Sequence, residues 1–359
     1  MKNFSNEYLK IEAFLEKLNT RKPDFNNFLH ILRREKPTRP TLFEFIISHN
    51  KLLDDLTKHK VYDESDDLWR DKKLIDAYHT AGYDYACIRR GFGFRSNRRK
   101  DEGKASLSLN EGFVITDRES FNTYEFMEPE DADYTWINEL ADYLPQGMKL
   151  LVPGPDGIFE TVLTLVGYDN LCYLLFDDPA LVKEIFQAVG SRYLRYYENC
   201  VKYEAVGAMM ADDDWGFKTQ TFLSIHDMRR YVIPWHVKLA QAVHAAGKPI
   251  TFHSCGNIEG VMEDVISIIK HDGWHSHEDN IIPIERAYDK YGSRIAILGG
   301  IDVDFLSRET PEKIYNRSRD MLIKSAKGGY ALGSGNSIPD YIPIENYLAM
   351  VSAAVFNCW

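Results

Sequence analysis

The sequence has few cysteines, no long apolar run and no excess of basic residues. Its five cysteines among 359 residues are irregularly spaced, which is not the pattern of a disulfide framework and indicates a reducing compartment. No apolar stretch approaches the roughly 18 residues that a membrane-spanning helix needs. The first ten residues include charged side chains and lack the apolar core of a signal peptide. We therefore expect a cytoplasmic protein that does not enter a membrane.

The charge balance argues against nucleic acid as a partner. The formal net charge is −11 at pH 7, whereas proteins that bind nucleic acid without sequence preference need a concentrated positive face. The one basic stretch, residues 95–100, is short, and we interpret it as a solvated loop rather than as a clamp for phosphate or carboxylate. A content of 44% hydrophobic and 27% charged residues is typical of a folded globular chain.

Short apolar runs alternate with amphipathic stretches along most of the chain, as in a parallel sheet whose strands are separated by helices. The eight runs that we predict as strands are 41–45, 85–88, 149–152, 205–210, 249–252, 273–275, 295–298 and 330–332. The clearest helical stretches between them are 179–197, 225–246, 258–270 and 311–326. Because eight strands close into a barrel, we predict an α/β fold with a (β/α)8 TIM barrel over residues 39–359.

Two segments fall outside this alternation. Residues 1–38 precede the first predicted strand, and we expect them to form a helical N-terminal extension. Residues 91–147 form an insertion after the second predicted strand, and the alternating runs on either side of Asn110-Glu111-Gly112 predict a β-hairpin within it. Insertions after barrel strands lie on the C-terminal rim, so this one is expected there, either as a lid over the site or as a hairpin that only decorates the surface or contacts a second subunit.

Polar side chains collect directly after the predicted strands, which is where (β/α)8 barrels hold their active sites. The candidates are Glu44, Arg89, Asp212, Asp213, Asp214, His253, Cys255, His275, His277, Glu278, Gly300, Asp302, Ser334 and Asn336. So many carboxylates and imidazoles beside a thiol predict a catalytic or binding site on this rim.

His253-Ser254-Cys255 is the sharpest motif. Residues two apart on a strand point the same way, so the imidazole and the thiolate could converge on one ion. Nitrogen and sulfur ligands together favour zinc, and an open fourth position suits activation of a substrate. The alternative interpretation is a packed cysteine beside a histidine that only forms hydrogen bonds.

Other rim residues allow more than one interpretation. Of the aspartates at 212–214, strand alternation predicts that one or two face the site, as metal ligand, general base or clamp for a cation, unless they only cap a loop. Glu44 ends an apolar run with no local reason for a charge. Gly299-Gly300 and Gly333-Ser334-Gly335 follow the last two predicted strands, where many barrels bind phosphate through backbone N–H groups. Tight turns, or close approach to a flat cofactor, explain these glycines equally well.

Three segments, FHSCGN, ILGGIDVDFL and ALGSGNSIPDYIPIENYLAM, resemble the uroporphyrinogen-decarboxylase superfamily. The resemblance covers roughly residues 38–359 and is most specific from Asp212 onwards. It implies a (β/α)8 barrel, which agrees with the strand count, and a homodimer. The superfamily includes the heme-pathway decarboxylase and the zinc-dependent methyltransferases that exchange methyl groups with a corrinoid.

Two motifs separate these branches. The decarboxylase resemblance would require an arginine-rich segment of the form RQAGR after the first strand, whose arginines meet the carboxylates of the porphyrinogen. Residues 45–50 (FIISHN) contain no arginine, so such an anionic substrate would lack its charge-assisted hydrogen bonds. The methyltransferases have H-x-C after the fifth strand, and His253 and Cys255 match it residue by residue.

The resemblance also implies a third zinc ligand, a cysteine in the glycine loop after the last strand, where this chain has Ser334. Serine is a poor zinc ligand, so Asp213, Glu44 and His277 become the candidates for the third position. Oxygen-rich ligation suits a zinc that acts as a Lewis acid on a methyl ether or amine, instead of one that loads a thiol.

The leading hypothesis is a zinc-dependent methyltransferase that moves a methyl group between a small methylated substrate and a separate corrinoid protein. His253 and Cys255 would bind zinc, and Asp213, Glu44 and His277 are the candidate catalytic residues. The candidate substrate-binding residues are Asp214, Arg89, Gly300, Asp302, Ser334 and Asn336. The alternatives are a decarboxylase for a tetrapyrrole or a smaller carboxylic acid, and a ligand-binding barrel without catalytic activity.

Overall fold

In the computed structural model, which describes residues 2–18, 21–97 and 109–357, one curled sheet of seven parallel strands forms the centre. The strands are β1 (Tyr85–Cys87), β2 (Lys149–Pro153), β3 (Val206–Asp212), β4 (Ile250–His253), β5 (Gly273–His275), β6 (Ala296–Leu298) and β7 (Tyr330–Ala331). They pair in chain order. Almost every strand residue is buried, as expected for a parallel sheet that is covered on both faces. The predicted parallel α/β fold is confirmed.

The first predicted strand, residues 41–45, forms a single bridge instead of a full strand. Leu42 pairs in parallel with Leu332, and the Phe43 N–H donates to the Leu332 carbonyl at 2.8 Å. On the other side, the Tyr85 hydroxyl of β1 accepts from the Glu44 N–H at 2.8 Å and donates to the Glu44 carbonyl at 2.9 Å. The segment thus lies between β7 and β1, but a side chain replaces backbone pairing on one side. The prediction of eight strands is therefore correct for seven.

Helices surround the sheet. They are α1 (Ile11–Leu18), α2 (Phe25–Leu32), α3 (Asn50–Thr57), α4 (Trp69–Ala81), α5 (Arg118–Thr123), α6 (Thr135–Tyr143), α7 (Ile158–Val166), α8 (Tyr168–Asp177), α9 (Pro179–Cys200), α10 (Ile225–Asp227), α11 (Ile233–Ala245), α12 (Ile284–Tyr291), α13 (Val303–Arg308), α14 (Pro311–Lys324) and α15 (Ile344–Val355). Shorter 3-10 turns occupy Asn6–Leu9, Pro129–Asp131 and Glu259–Val261, and π-helical turns occupy Met228–Val232 and Asp264–Ile269. The helices predicted at 179–197 and 311–326 correspond to α9 and α14. The other two predicted helices are interrupted or replaced by the π-helical turns.

The described parts of the insertion, residues 91–97 and 109–147, contain helices and no strand. Its segment 113–117, the second half of the predicted hairpin, bonds to a helix instead, since Val114 and Ile115 both donate their N–H groups to the Leu165 carbonyl at 2.8 Å. These N–H groups are therefore not free for a strand ladder. The basic residues 98–100 and the first half of the hairpin, 106–108, lie outside the described residues. The hairpin prediction is not borne out by the half that the structure describes.

The chain turns sharply between α7 and α9. Gly167, with a φ of 80°, separates α7 from α8 in a conformation that favours glycine. Asp178 begins α9 by accepting a hydrogen bond from the Leu181 N–H at 3.0 Å, and Pro179 takes the first helical position. No single helix of the described segments is long and apolar enough to cross a membrane. The pair α7 and α8 meets that requirement only together, bent by 92°.

Helix α9 packs against α11 at Gly190, where a side chain has no room. A Cβ atom there would lie 2.2 Å from the Trp235 ring. Although alanine favours a helix over glycine by about 1 kcal/mol, Gly190→Ala must displace the indole, and we expect the free energy of unfolding to fall by about 1–3 kcal/mol. Urea denaturation measures this. Gln187→Ala, exposed on the same helix, is the matched control and should change stability by less than about 0.5 kcal/mol. A Gly190→Ala variant as stable as wild type would contradict this packing.

Candidate metal centre

The strand register places three polar side chains side by side at the carboxyl edge of the sheet. Asp212 on β3 pairs with His253 on β4, and His253 pairs with His275 on β5. Residues paired in this way project to the same side of the sheet. All three are buried, so each needs a polar partner.

His253, Cys255 and Asp214 bring three potential ligand atoms together. The Cys255 Sγ lies 3.5 Å from the His253 Nε2, the Asp214 Oδ1 lies 3.7 Å from the same nitrogen, and all three atoms lie within 4.8 Å of one another. Zinc–ligand bonds of about 2.0–2.3 Å at tetrahedral angles separate neighbouring ligand atoms by about 3.5 Å. The three residues could therefore hold one metal ion and leave a fourth position open.

Neighbouring groups hold the thiol and the carboxylate in place. The Cys255 N–H donates to the Asp214 Oδ1 at 2.7 Å, and the Asn336 Nδ2 donates to the Cys255 Sγ at 3.1 Å. Burial, and after it the charge of Asp214, raises the pKa of the Cys255 thiol far above its usual range. Without a metal the thiol is therefore protonated at neutral pH, and metal binding would release its proton.

His275 contacts the other side of the His253 ring. The two Nδ1 atoms are 2.8 Å apart, and the His275 Nε2 lies 3.2 Å from the Ser334 carbonyl oxygen. Burial lowers the pKa of His275 well below its usual value, so its ring is neutral. Phe45 covers the same region, with its ring centre 4.7 Å from that of His253.

Ser334 bonds to Glu44 and does not belong to the metal group, the name that we give to His253, Cys255 and Asp214. Its Oγ donates to the Glu44 Oε1 at 2.5 Å, and its N–H donates to the Glu44 Oε2 at 3.2 Å. Both residues are completely buried, and burial raises the pKa of Glu44 to about 8. Glu44 is therefore an uncharged carboxylic acid at neutral pH, and it lies beneath the loop after β7.

Asp213 faces away from the group to which its neighbour Asp214 belongs. Its two carboxylate oxygens accept hydrogen bonds from the N–H groups of Phe159 at 3.1 Å and Glu160 at 3.0 Å, in the first turn of α7. The His236 Nε2 lies 2.9 Å from its Oδ2. A carboxylate at this place complements the positive end of the helix dipole, so Asp213 anchors α7. The structure brings Asp214 to His253 and Cys255, in the place where Asp213 was expected.

His277, Asp302 and Gly300 also lie apart from the metal group. The His277 Nε2 is 3.3 Å from the Trp274 carbonyl, and burial lowers the pKa of His277 to about 4. Asp302 caps α13 by accepting from the Phe305 N–H at 3.0 Å. The Gly300 N–H donates to the Ser334 carbonyl at 2.8 Å. Gly300 and Asp302 thus stabilise the loops around the site.

Further carboxylates lie close to the group. Asp212 forms an ion pair with Arg89, whose guanidinium lies 5.4 Å from the Phe45 ring centre. Glu160, half-buried in the first turn of α7, has its pKa raised well above the usual range by burial and then by the charges of Asp214 and Asp212. Glu160 is not among the predicted site residues, because it lies on a helix and does not follow a strand. Its signal in the sequence is one acidic residue within the apolar stretch IFETVLTLV.

A cleft with a volume of 640 Å³ lies on the same side of the loop after β7, and its wall does not include His253, Cys255 or Asp214. Asn336, which bonds to the Cys255 thiol, lies in its wall. The rest of the wall is mainly polar: His277, Glu278, Asn280, Asp302, Val303, Asp304, Ser307, Arg308, Ser337 and Tyr341. A cleft of this size is typical of small-molecule sites.

A curled parallel sheet covered by helices, with polar residues at the carboxyl ends of its strands, defines the TIM-barrel-like class of α/β folds. Within that class, the family model for uroporphyrinogen decarboxylase (URO-D) matches residues 127–355. The chain belongs to the uroporphyrinogen decarboxylase family.

Solved structures of low sequence identity share the fold. A methyltransferase from Methanosarcina mazei is 14% identical with a TM-score of 0.68, over 91% of this chain and 97% of the other. A Listeria monocytogenes protein described as a vitamin-B12-independent methionine synthase is 13% identical with a TM-score of 0.50, over 89% of this chain and 99% of the other. No curated protein matches the chain by sequence.

Glu44 makes the stability of the protein depend on pH. Its carboxyl group stays protonated up to about pH 8 in the folded protein, against an ordinary value of 4.5. The stability that this difference contributes is complete below the ordinary pKa and is lost as the pH rises through 8, by up to about 1.4 kcal/mol per pH unit. Glu44→Gln keeps an acceptor for Ser334 and does not titrate.

We therefore expect wild type to lose stability more steeply than Glu44→Gln as the pH is raised from about 5 to about 8, the interval in which the linkage acts. Urea denaturation of both proteins across this interval measures the two slopes. Parallel curves would contradict a protonated Glu44.

Proposed function

We propose that the protein is a zinc-dependent methyltransferase that moves a methyl group between a small methylated substrate and a separate corrinoid protein. The observation that carries this proposal is the spacing of His253, Cys255 and Asp214. Three protein ligands drawn from nitrogen, sulfur and oxygen, with a fourth position open, are typical of catalytic zinc sites. Membership of the family, and the fold shared with the Methanosarcina mazei methyltransferase, support the same class of activity.

The donor atoms fit a Lewis-acidic zinc. When bound, zinc would polarise the heteroatom that carries the methyl group. Asn336 hydrogen-bonds the Cys255 sulfur at 3.1 Å and would reduce the charge that a thiolate presents to a metal. One thiolate and one carboxylate donate less electron density than two thiolates, which favours activation of an ether or amine over loading of a thiol.

Glu160 is our candidate for the proton donor, in place of Asp213. Burial, and after it the charges of Asp214 and Asp212, raise its pKa well above the usual range, which favours the protonated form of the carboxyl group. A protonated acid beside the metal group can protonate the heteroatom that leaves the methyl group. Asp213 is already bonded to the first turn of α7 and to His236.

The charge around the group favours this proposal over decarboxylation of a tetrapyrrole. A substrate with many carboxylates needs cationic side chains to pair with. Arg89 is already bonded to Asp212 and to the carbonyl of Pro155, and Asp214 and Glu160 add negative charge. A small neutral or cationic substrate at the metal group meets no such repulsion.

Metal content is the first test of the proposal. In protein purified without an affinity tag or chelator, elemental analysis should find about one zinc per chain. His253→Ala and Cys255→Ala should lose the metal, and Asp214→Asn should bind it more weakly. Cys172→Ala removes an exposed free cysteine and serves as the control that keeps zinc.

Methyl transfer is tested next, with free cob(I)alamin as the acceptor. Methanol, trimethylamine, dimethyl sulfide and a methoxyphenol are the donors, and the visible spectrum reports methylcobalamin. We expect turnover with one donor class, dependent on zinc. Absence of zinc after reconstitution would overturn the proposal in favour of a decarboxylase-like or ligand-binding barrel, and turnover of uroporphyrinogen in the same preparation distinguishes these two.

A further inference from the structure

His253 has two ring nitrogens, and only one without a proton can bind a metal. Its Nε2 faces the Cys255 Sγ at 3.5 Å and the Asp214 Oδ1 at 3.7 Å. Its Nδ1 faces the Nδ1 of His275 at 2.8 Å. For Nε2 to act as a ligand, the proton must be on Nδ1, and His275 must therefore accept it in a hydrogen bond.

The surroundings of His275 make it an acceptor at this position. Its Nε2 lies 3.2 Å from the carbonyl oxygen of Ser334, and a carbonyl can only accept, so the Nε2 carries a proton. The ring is completely buried, and in the parts of the chain that the structure describes no carboxylate bonds to either nitrogen. The ring is neutral, and a neutral imidazole with its proton on Nε2 has a lone pair on Nδ1.

The Ser334 carbonyl is fixed in this orientation. The serine N–H and Oγ both donate to Glu44, at 3.2 and 2.5 Å. Gly299 packs so closely that a Cβ there would lie 2.2 Å from the Ser334 oxygen and 3.0 Å from the His275 ring. A continuous series of hydrogen bonds therefore runs from Glu44 through Ser334 and His275 to His253.

We propose that His275 is a positioning residue for the metal centre. By accepting the Nδ1 proton of His253, it fixes the tautomer whose Nε2 lone pair points towards Cys255 and Asp214. Carboxylates and backbone carbonyls usually occupy this place beside metal-binding histidines. A second histidine adds no charge, so the anionic ligands remain Cys255 and Asp214. The effect on a metal rests on the proposed function, whereas the tautomer itself does not.

The tautomer can be measured in the metal-free protein. Nitrogen-15 chemical shifts of the histidine rings distinguish a protonated from an unprotonated nitrogen, and His253→Asn and His275→Asn assign the two rings. We expect the proton of His253 on Nδ1 and the proton of His275 on Nε2. A proton on the Nε2 of His253 would overturn the inference, whether or not the protein binds zinc.

Substitutions of His275 test the consequence for metal binding. His275→Leu removes the acceptor, and we expect zinc affinity, measured by competition with a chelator, to fall about 10- to 100-fold. His275→Asn keeps an amide oxygen that can accept from His253, and it should recover most of this loss. If His275→Leu fails to fold, the zinc affinity of His275→Asn and the tautomer measurement still test the role of His275.

His271→Leu is the matched control. His271 is another buried histidine in contact with a histidine, its Nε2 3.4 Å from the His236 Nδ1, and its ring stacks on Phe252. We expect this variant to bind zinc like wild type. If wild type binds no zinc, the proposed function fails, and the tautomer alone decides the inference. If wild type and His275→Leu bind zinc equally well, the inference fails and the proposed function stands.

Discussion

The hydrogen bond between His253 and His275 is the interaction on which the carboxyl end of the sheet depends. The register of β3, β4 and β5 sets a carboxylate and two imidazoles side by side at the carboxyl ends of the strands. Buried polar groups need partners. Asp212 forms an ion pair with Arg89. His253 forms a hydrogen bond with His275, which in turn forms one with the Ser334 carbonyl. The geometry of the site thus depends on the loop after β7 as much as on the strands.

That loop also explains the serine at position 334. The family resemblance implies a cysteine ligand there, but the Ser334 Oγ donates to Glu44, and both side chains are buried together. Asp214, from the segment after β3, instead brings the third potential ligand atom to His253 and Cys255. The serine at position 334 and the position of Asp214 are related. The anionic group that is missing after β7 is matched by an anionic group after β3. The two sets of candidate ligands carry the same charge, but in this chain a carboxylate oxygen takes the place of a thiolate sulfur.

Hydrophobic periodicity predicted most of the fold. It placed seven of the eight strands, and it placed α9 and α14. It did not predict that residues 41–45 form one bridge, since the Tyr85 hydroxyl takes the backbone groups of Glu44 and a tertiary contact of this kind has no local pattern. The predicted hairpin fails for a similar reason, because Leu165 of α7 accepts the N–H groups of its second half.

The sequence predicts which strand ends supply the site, but it does not predict which of the side chains there contact one another. His253 and Cys255 were predicted from their H-x-C spacing, and both belong to the metal group, although β4 ends at His253 and Cys255 lies two residues beyond it. Alternation also indicated that the aspartates at 212–214 divide between two faces. It could not choose Asp214 over Asp213, because β3 ends at Asp212 and the strand period no longer applies beyond it. The contact of His253 with His275 depends on the register between strands, which a single sequence does not specify.

The electrostatics of the site are costly unless a cation is present. Burial raises the pKa of Asp212 despite its pairing with Arg89, and it raises the pKa of Glu160 well above the usual range together with the neighbouring aspartates. The Cys255 thiol is shifted in the same direction. All three shifts reflect the cost of placing negative charge where water is excluded. A divalent metal between His253, Cys255 and Asp214 would remove much of that cost, since a bound cation is the largest charge in such a site and reverses the local shifts.

A fold that served only packing would place apolar side chains at these positions, so the buried carboxylates and the thiol indicate a function. The same electrostatics bear on the substrate. A polyanion would add to the charge that already raises these pKa values, whereas a neutral or cationic methylated compound would not. The cost of burying these negative charges thus favours both the metal and the class of substrate proposed for it.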